Sequence, residues 1–161
     1  MAHVVKFKMH SLQAFISVAT LLAMSFASAA ALAHTNDYLD TQKAPHGGQL
    51  RMAGVYHFEL VVAKDSKGAT NNPVMVYVTD HAGAKIQTAG TSGTVTILSG
   101  TERTTANLAP DGDNRLKGSA KYTSAPDLKA IVSIALPGKT SEQARFTPLA
   151  IPMEKHDEHM H

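Results

Sequence analysis

The sequence predicts an all-β fold, namely an antiparallel β-sandwich, Ig-like or barrel-like, of about seven to eight strands. Short stretches rich in β-branched and aromatic residues recur from residue 48 onward. Clusters of Gly, Pro, Asp, Asn and Ser separate them roughly every 8 to 12 positions. The same region has no helical periodicity, so the pattern favours strands joined by tight turns.

Residues 55–62 form the clearest predicted strand. Phe58 and Leu60 fall on one face, while His57 and Glu59 fall on the other, because side chains alternate along a strand. Composition and spacing predict further strands at residues 49–53, 74–79, 94–98, 101–108, 116–122 and 130–136. Turns are predicted between them at residues 64–68, 80–83, 99–100, 110–114 and 137–138.

The N-terminal segment is typical of a secretory signal peptide. Lys6 and Lys8 precede an uncharged stretch at residues 12–33, which ends in the small-residue pattern Ala31-Leu32-Ala33. The alternative is an uncleaved membrane anchor, since about 20 apolar residues span a bilayer. The cleavage pattern favours a signal at residues 1–33, a periplasmic location and no membrane association after cleavage.

The remaining chain is predicted to form one domain with distinct ends. Residues 34–44 are expected to be an extended lead-in, residues 45–153 the β-sandwich domain, and residues 154–161 a histidine-rich tail. Of 15 basic residues, Lys6 and Lys8 leave with the signal, so 13 remain to balance 13 acidic residues. A neutral chain is poorly suited to nucleic acid, and we expect no such partner.

The chain contains no cysteine, which excludes disulfides and thiolate metal sites. Histidine is the commonest metal-binding side chain in proteins, and this sequence is rich in it. After signal removal seven of the nine histidines remain: His34, His46, His57, His81, His156, His159 and His161.

The strongest candidate site lies in "PHGGQLRMAGVYHFEL", residues 45–60. His57 and Glu59 are two residues apart on a strand and share a face, and His46 approaches them if the first strand folds back. Imidazole and carboxylate ligands suit copper, zinc, nickel or cobalt and disfavour calcium and magnesium. The alternative is an ordinary turn followed by a polar cross-strand pair.

Other histidines are further candidate metal ligands. His81 lies in a predicted turn from which it could close over the site. His34 becomes the N-terminus if cleavage follows Ala33, so its amine and imidazole would chelate one Cu(II) ion. The tail offers weak capture of divalent metals by His156, His159 and His161.

No catalytic function is expected. The sequence has no Gly-x-Ser-x-Gly elbow, no His-Glu-x-x-His motif, no phosphate-binding loop and no cysteine nucleophile. The acidic cluster at residues 111–114 lacks the other ligand positions of an EF-hand and is interpreted as a turn.

The stretches "APHGGQL", "GVYHFELVV", "VMVYVTDHAGAKI" and "LPG" occur in this order. In them the chain resembles small exported bacterial heavy-metal resistance proteins, and is similar to small domains attached to periplasmic adaptor subunits of metal-efflux pumps. The resemblance implies a β-rich periplasmic module that handles copper, zinc, cobalt or nickel, with His46, Gly47, Gly48 and Glu59 at matching positions.

Residues and resemblance together predict periplasmic binding of a divalent transition metal in metal resistance or homeostasis. The expected partners are the metal ion and a periplasmic component of a metal-efflux system. The alternative function is a non-catalytic β-sandwich interaction module that docks on an efflux or envelope component, with metal bound only by the tail.

Overall fold

The structure is a computed structural model, and it describes residues 35–151. The predicted signal, His34 and the histidine-rich tail therefore lie outside the described residues. Within residues 35–151, no helix is long and apolar enough to cross a membrane.

The described chain contains eight strands and one short helix. These are α1 (Asn36–Asp40), β1 (Gln49–Ala53), β2 (Tyr56–Val62), β3 (Thr70–Asp80), β4 (Ser92–Ser99), β5 (Glu102–Pro110), β6 (Arg115–Tyr122), β7 (Lys129–Ala135) and β8 (Ser141–Phe146). All strand pairs are antiparallel. The prediction of an all-β antiparallel fold is confirmed.

The strands form one sheet in the order β1-β2-β3-β6-β5-β4-β7-β8, and this sheet is nearly closed into a barrel. The two edge strands approach each other, because the amide N–H of Thr147, just after β8, donates to Oε1 of Gln49 on β1 at 2.8 Å. Of the two architectures that the sequence allowed, the barrel-like one is therefore observed.

The core fills the interior of this sheet with alternating side chains. In β3, Val74, Val76 and Val78 are fully buried while the residues between them are half-buried. Strands β4 and β7 repeat the pattern with Val95, Ile97, Ala130, Val132 and Ile134. Burial of these apolar faces is the main driving force for folding.

The sheet turns a corner where β5 leaves β4 and meets β6. Strand β5 pairs along its length with β4, but only Ala109 and Pro110 pair with β6. A Cβ atom at Gly118 of β6 would collide with the carbonyl oxygen of Asn107. Glycine at this position therefore permits the close backbone approach that closes the barrel.

Tyr122 anchors the end of the barrel at β6. Its hydroxyl group donates to the Pro73 carbonyl and accepts from the Ala63 amide N–H, both at 2.9 Å. Burial raises the pKa of Tyr122 above its ordinary value, and the hydrogen bond from Ala63 opposes that shift. These bonds satisfy the polar end of a ring that is otherwise fully buried.

Two parts of the structure differ from the sequence prediction. Residues 34–44 were expected to be extended, but α1 forms there because Thr35 caps the helix by accepting the Tyr38 amide N–H at 3.2 Å. The eighth strand, β8, was not predicted. Its sequence SEQARF carries only two residues that the fold buries, Ala144 and Phe146.

Candidate functional site

Strand β2 is buried on both faces. Phe58 and Leu60 face the core, and they are fully buried. His57 and Glu59 face the opposite way, yet they are only 8% and 3% exposed. Residues from α1 and from the turn before β1 line the same cavity as these two side chains and cover them. Polar side chains that are buried in this way are normally hydrogen-bonded within the protein.

Glu59 accepts three hydrogen bonds from the turn that precedes β1. Its Oε1 accepts the backbone N–H groups of His46 at 2.8 Å and Gly48 at 3.0 Å. Its Oε2 lies 2.8 Å from Nδ1 of the His46 ring. We call His46, Gly48 and Glu59 the carboxylate clamp. Hydrogen bonds to an ionised carboxylate are the strong ones, so the clamp fixes the turn on β2.

Both glycines of the His-Gly-Gly stretch are required by this geometry. Gly47 has φ of +73°, in the left-handed region that glycine occupies without strain. Gly48 has no room for a side chain, because a Cβ there would collide with the carbonyl group of Leu60. With glycine at both positions, the turn approaches β2 closely enough for the Gly48 N–H to donate to Glu59.

The clamp orients the His46 ring. Because an ionised carboxylate only accepts hydrogen bonds, Nδ1 of His46 carries the proton in neutral imidazole and Nε2 keeps the lone pair. The ring is stacked face to face on Tyr77, with centroids 3.5 Å apart and planes parallel. Tyr77 was not predicted as a site residue, although its place on β3 directly opposite Glu59 gives it access to the site. A hydrogen bond with the same Tyr77 raises the pKa of Arg115.

His57 and His81 form a second ring pair. Their centroids lie 5.1 Å apart and their planes differ by 13°. His81 follows the end of β3, in a turn that Asp80 stabilises by accepting the N–H groups of Ala82 at 2.9 Å and Ala84 at 2.8 Å. A fixed turn thus brings His81 back over β2, where the sequence analysis had expected a loop residue to close over the site.

These side chains share one cavity of about 290 Å³. All three histidines of residues 35–151 line it, although they come from the turn before β1, from β2 and from the turn after β3. The structure therefore brings together four of the predicted site residues: His46, His57, Glu59 and His81. The other four lie outside the described residues: His34, His156, His159 and His161.

The cavity contains the stacked imidazole pair of His57 and His81 rather than a closed coordination shell. Among residues 35–151, no group of three or more His, Cys, Asp or Glu side chains is arranged to hold a metal ion. Met52 is the cross-strand partner of His57, so its thioether lies on the same face of the hairpin. Chemically, the site offers imidazole nitrogen atoms, and a thioether lies beside His57 on the neighbouring strand.

No family model, curated protein or solved structure matches this chain. The fold and the site thus define the molecule by themselves, as an antiparallel, barrel-like β domain with a histidine-lined cavity.

Proposed function

We propose that the domain binds a divalent transition-metal ion in the cavity formed by His46, His57 and His81, without catalysing a reaction. The observation that carries the proposal is the convergence of these three rings from three separate segments on one cavity of about 290 Å³. Imidazole is the commonest metal ligand in proteins, so a cavity lined by three of them is suited to a transition-metal ion.

The carboxylate clamp supports the proposal through His46. Histidines that bind metals almost always donate their other ring N–H to a carboxylate or carbonyl group, which fixes the tautomer. Glu59 receives Nδ1 of His46 in this way at 2.8 Å and leaves Nε2 as the ligand atom.

This proposal changes the role that the sequence analysis gave to Glu59. Both of its oxygens already accept hydrogen bonds, and it is 3% exposed. A direct bond to an ion would break part of the clamp. We therefore assign Glu59 to the orientation of His46, and the ligands to the three rings.

Binding requires a rotation of the rings, because no three ligand side chains within residues 35–151 are arranged around a common point. His81 supplies it most readily, since it lies on a turn and its ring already faces His57 at 5.1 Å. Divalent ions bind such sites in the order cobalt, nickel, copper, with zinc below copper. We therefore expect copper to bind most tightly.

The cellular role rests on the sequence predictions. The predicted signal peptide and the resemblance to exported metal-resistance proteins together support a periplasmic carrier or buffer that acts with a metal-efflux component. The histidine-rich tail would then capture ions before the cavity receives them.

The second candidate is the interaction module whose only metal ligands are in the tail. The absence of a three-ligand group within residues 35–151 favours it. The two functions make opposite predictions for a chain in which the terminal histidines are removed.

The experiment uses a background variant of the whole chain in which every histidine outside the cavity is replaced, which we call the cavity-only background: His3→Asn, His10→Asn, His34→Asn, His156→Asn, His159→Asn and His161→Asn. Calorimetric titration with Cu(II), Zn(II), Ni(II) and Co(II) is expected to give one site with affinity in the micromolar range or better. Adding His81→Asn should weaken copper binding at least about tenfold, because one nitrogen ligand is lost.

Lys85→Asn is the matched control, since Lys85 is an exposed residue close to the same turn. It should leave binding unchanged. If the cavity-only background binds no ion while the natural chain does, the metal is bound at the termini and the interaction module becomes the better proposal.

A further inference from the structure

A second cavity lies away from the histidines and carries clustered positive charge. It is a groove of about 600 Å³, and its cations include Arg103 of β5, Lys129 of β7 and Arg145 of β8. All three are exposed, and none of them belongs to an ion pair among residues 35–151. We call this surface the cationic groove.

The strand register surrounds an apolar centre with these cations. Leu98 of β4 is paired with Arg103 on one side and with Lys129 on the other. Arg145 is paired with Ile131, which lies next to Lys129 on the same face of β7. Side chains of directly paired residues project to the same face, so three cations flank two aliphatic side chains.

This arrangement leaves both positive charge and apolar surface open to a partner. Arg103, Lys129 and Arg145 form no ion pair among residues 35–151, and Leu98 leaves 37% of its surface exposed between Arg103 and Lys129. A fourth lining cation, Arg51, already forms an ion pair with Asp40 at 2.6 Å, so its charge is balanced within the protein. A ligand with an anionic group and an alkyl chain would balance the charge and cover the apolar surface.

We propose that the cationic groove binds a single-chain anionic amphiphile, such as a long-chain carboxylate. Its alkyl chain covers Leu98 and Ile131, and the positive charges of Arg103, Lys129 and Arg145 around these two side chains attract its head group. The volume lies within the range of small-molecule sites, about 300 to 1,000 Å³. A free inorganic anion would satisfy the charges but leave the aliphatic side chains exposed. This proposal is independent of metal binding.

The test is calorimetric titration of dodecanoate, below its micellar concentration and with a chelator present, into the whole chain. We expect saturable binding of one molecule that weakens as salt is added, because exposed charges are screened. The variant Arg103→Gln, Lys129→Gln, Arg145→Gln should bind at least about tenfold more weakly, since each exposed charge contributes about two- to fivefold. Leu98→Asn should also weaken binding.

The matched control replaces three exposed lysines elsewhere, Lys64→Gln, Lys117→Gln and Lys121→Gln, which remove the same charge. It should bind dodecanoate like the natural protein. Equal binding of dodecyltrimethylammonium, or undiminished binding by the groove variant, would contradict the proposal. So would a preference for anionic phospholipid vesicles over monomeric dodecanoate, which would indicate a membrane surface as the partner.

The acidic residues of the histidine-rich tail are the remaining competitor for the groove. If dodecanoate binds only after Glu154→Gln, Asp157→Gln and Glu158→Gln are introduced, the groove is occupied by that segment and the proposal is wrong. Binding that is the same with and without these substitutions supports the amphiphile.

Discussion

Strands β2 and β7 are both seven residues long, but they are buried in different ways. In β7, buried Ala130, Val132 and Ile134 alternate with residues that stay partly exposed. In β2, four consecutive residues from His57 to Leu60 are buried. Strand β7 therefore contributes one face to the core, whereas β2 also supports a second, polar interior.

The difference arises from the chain that covers β2. Helix α1 and the clamped turn fold over its second face, and Glu59 supplies the hydrogen bonds that hold the turn there. A buried polar layer costs stability unless it is fully bonded. Its presence on β2 and its absence from β7 thus distinguish a strand that supports a buried polar site from a strand whose outer face stays open to solvent.

Loss of the clamp carboxylate should have the largest effect on stability. Glu59→Ala removes the three hydrogen bonds that the buried carboxylate accepts from His46 and Gly48, which should lower the free energy of unfolding by about 3 kcal/mol. Urea denaturation measures this change. Glu102→Ala, an exposed glutamate on β5, is the control and should change stability by less than about 0.5 kcal/mol. Similar values for both variants would contradict the clamp.

The glycine of the clamp should come next. Gly48→Ala forces a methyl group against the Leu60 carbonyl and pushes the turn off β2, at a cost of about 2 kcal/mol. Gly68→Ala is the control, because its Cβ would meet open space. Thermal unfolding of both variants provides the comparison. A Gly48→Ala protein as stable as Gly68→Ala would show that the turn does not need its close approach.

Tyr122 tests whether a buried polar group outside the site affects stability without affecting metal binding. Tyr122→Phe leaves the Ala63 N–H and the Pro73 carbonyl unpaired and should cost about 1 to 2 kcal/mol. Tyr56→Phe is the control, because the Tyr56 hydroxyl makes no hydrogen bond to the described residues. Metal affinity in the cavity-only background should be unchanged in either variant.

The same residue predicts a pH dependence. The folded-state pKa of Tyr122 is raised above 10.0, so folding favours the neutral phenol. Its contribution is complete below pH 10 and is lost as the pH rises through the folded-state value. Stability of the natural protein should therefore decline more steeply above pH 10 than that of Tyr122→Phe, as followed by urea denaturation. Parallel pH profiles would contradict this assignment.

The smallest effect is expected on the exposed face of β7. Ser133 and Ser141 lie 2.9 Å apart, hydroxyl to hydroxyl, in solvent. Ser133→Ala should change the free energy of unfolding by less than about 0.5 kcal/mol, because water replaces the lost partner. A loss above about 1 kcal/mol in urea denaturation would mean that the polar face of β7 is more important for folding than its exposure indicates.

The sequence predicts most strands because their apolar residues alternate. Strand β1 is observed at residues 49–53, as expected, and the turn at residues 111–114 separates β5 from β6. Strand β8 was missed because Ala144 and Phe146 are too few to make an alternating pattern. Helix α1 was missed because five residues carry little periodicity, and its cap at Thr35 is a local contact.

The sequence predicted which residues form the site but not the contacts that bring them together. His57 and Glu59 share a face because of their spacing alone, whereas the position of His81 depends on the register of β3 against β2. Tyr77 carries no signal in the sequence, since an aromatic residue on a strand is normally a core residue. The cationic groove was missed for a different reason, because its charges come from three strands far apart in the chain.

The central claim is that the histidine cavity binds a metal ion, and electron paramagnetic resonance of Cu(II) in the cavity-only background tests it directly. The account predicts a spectrum with coupling to at least two imidazole nitrogens, and the loss of one of them in His81→Asn. A spectrum typical of hydrated copper, or one that His81→Asn leaves unchanged, would contradict it.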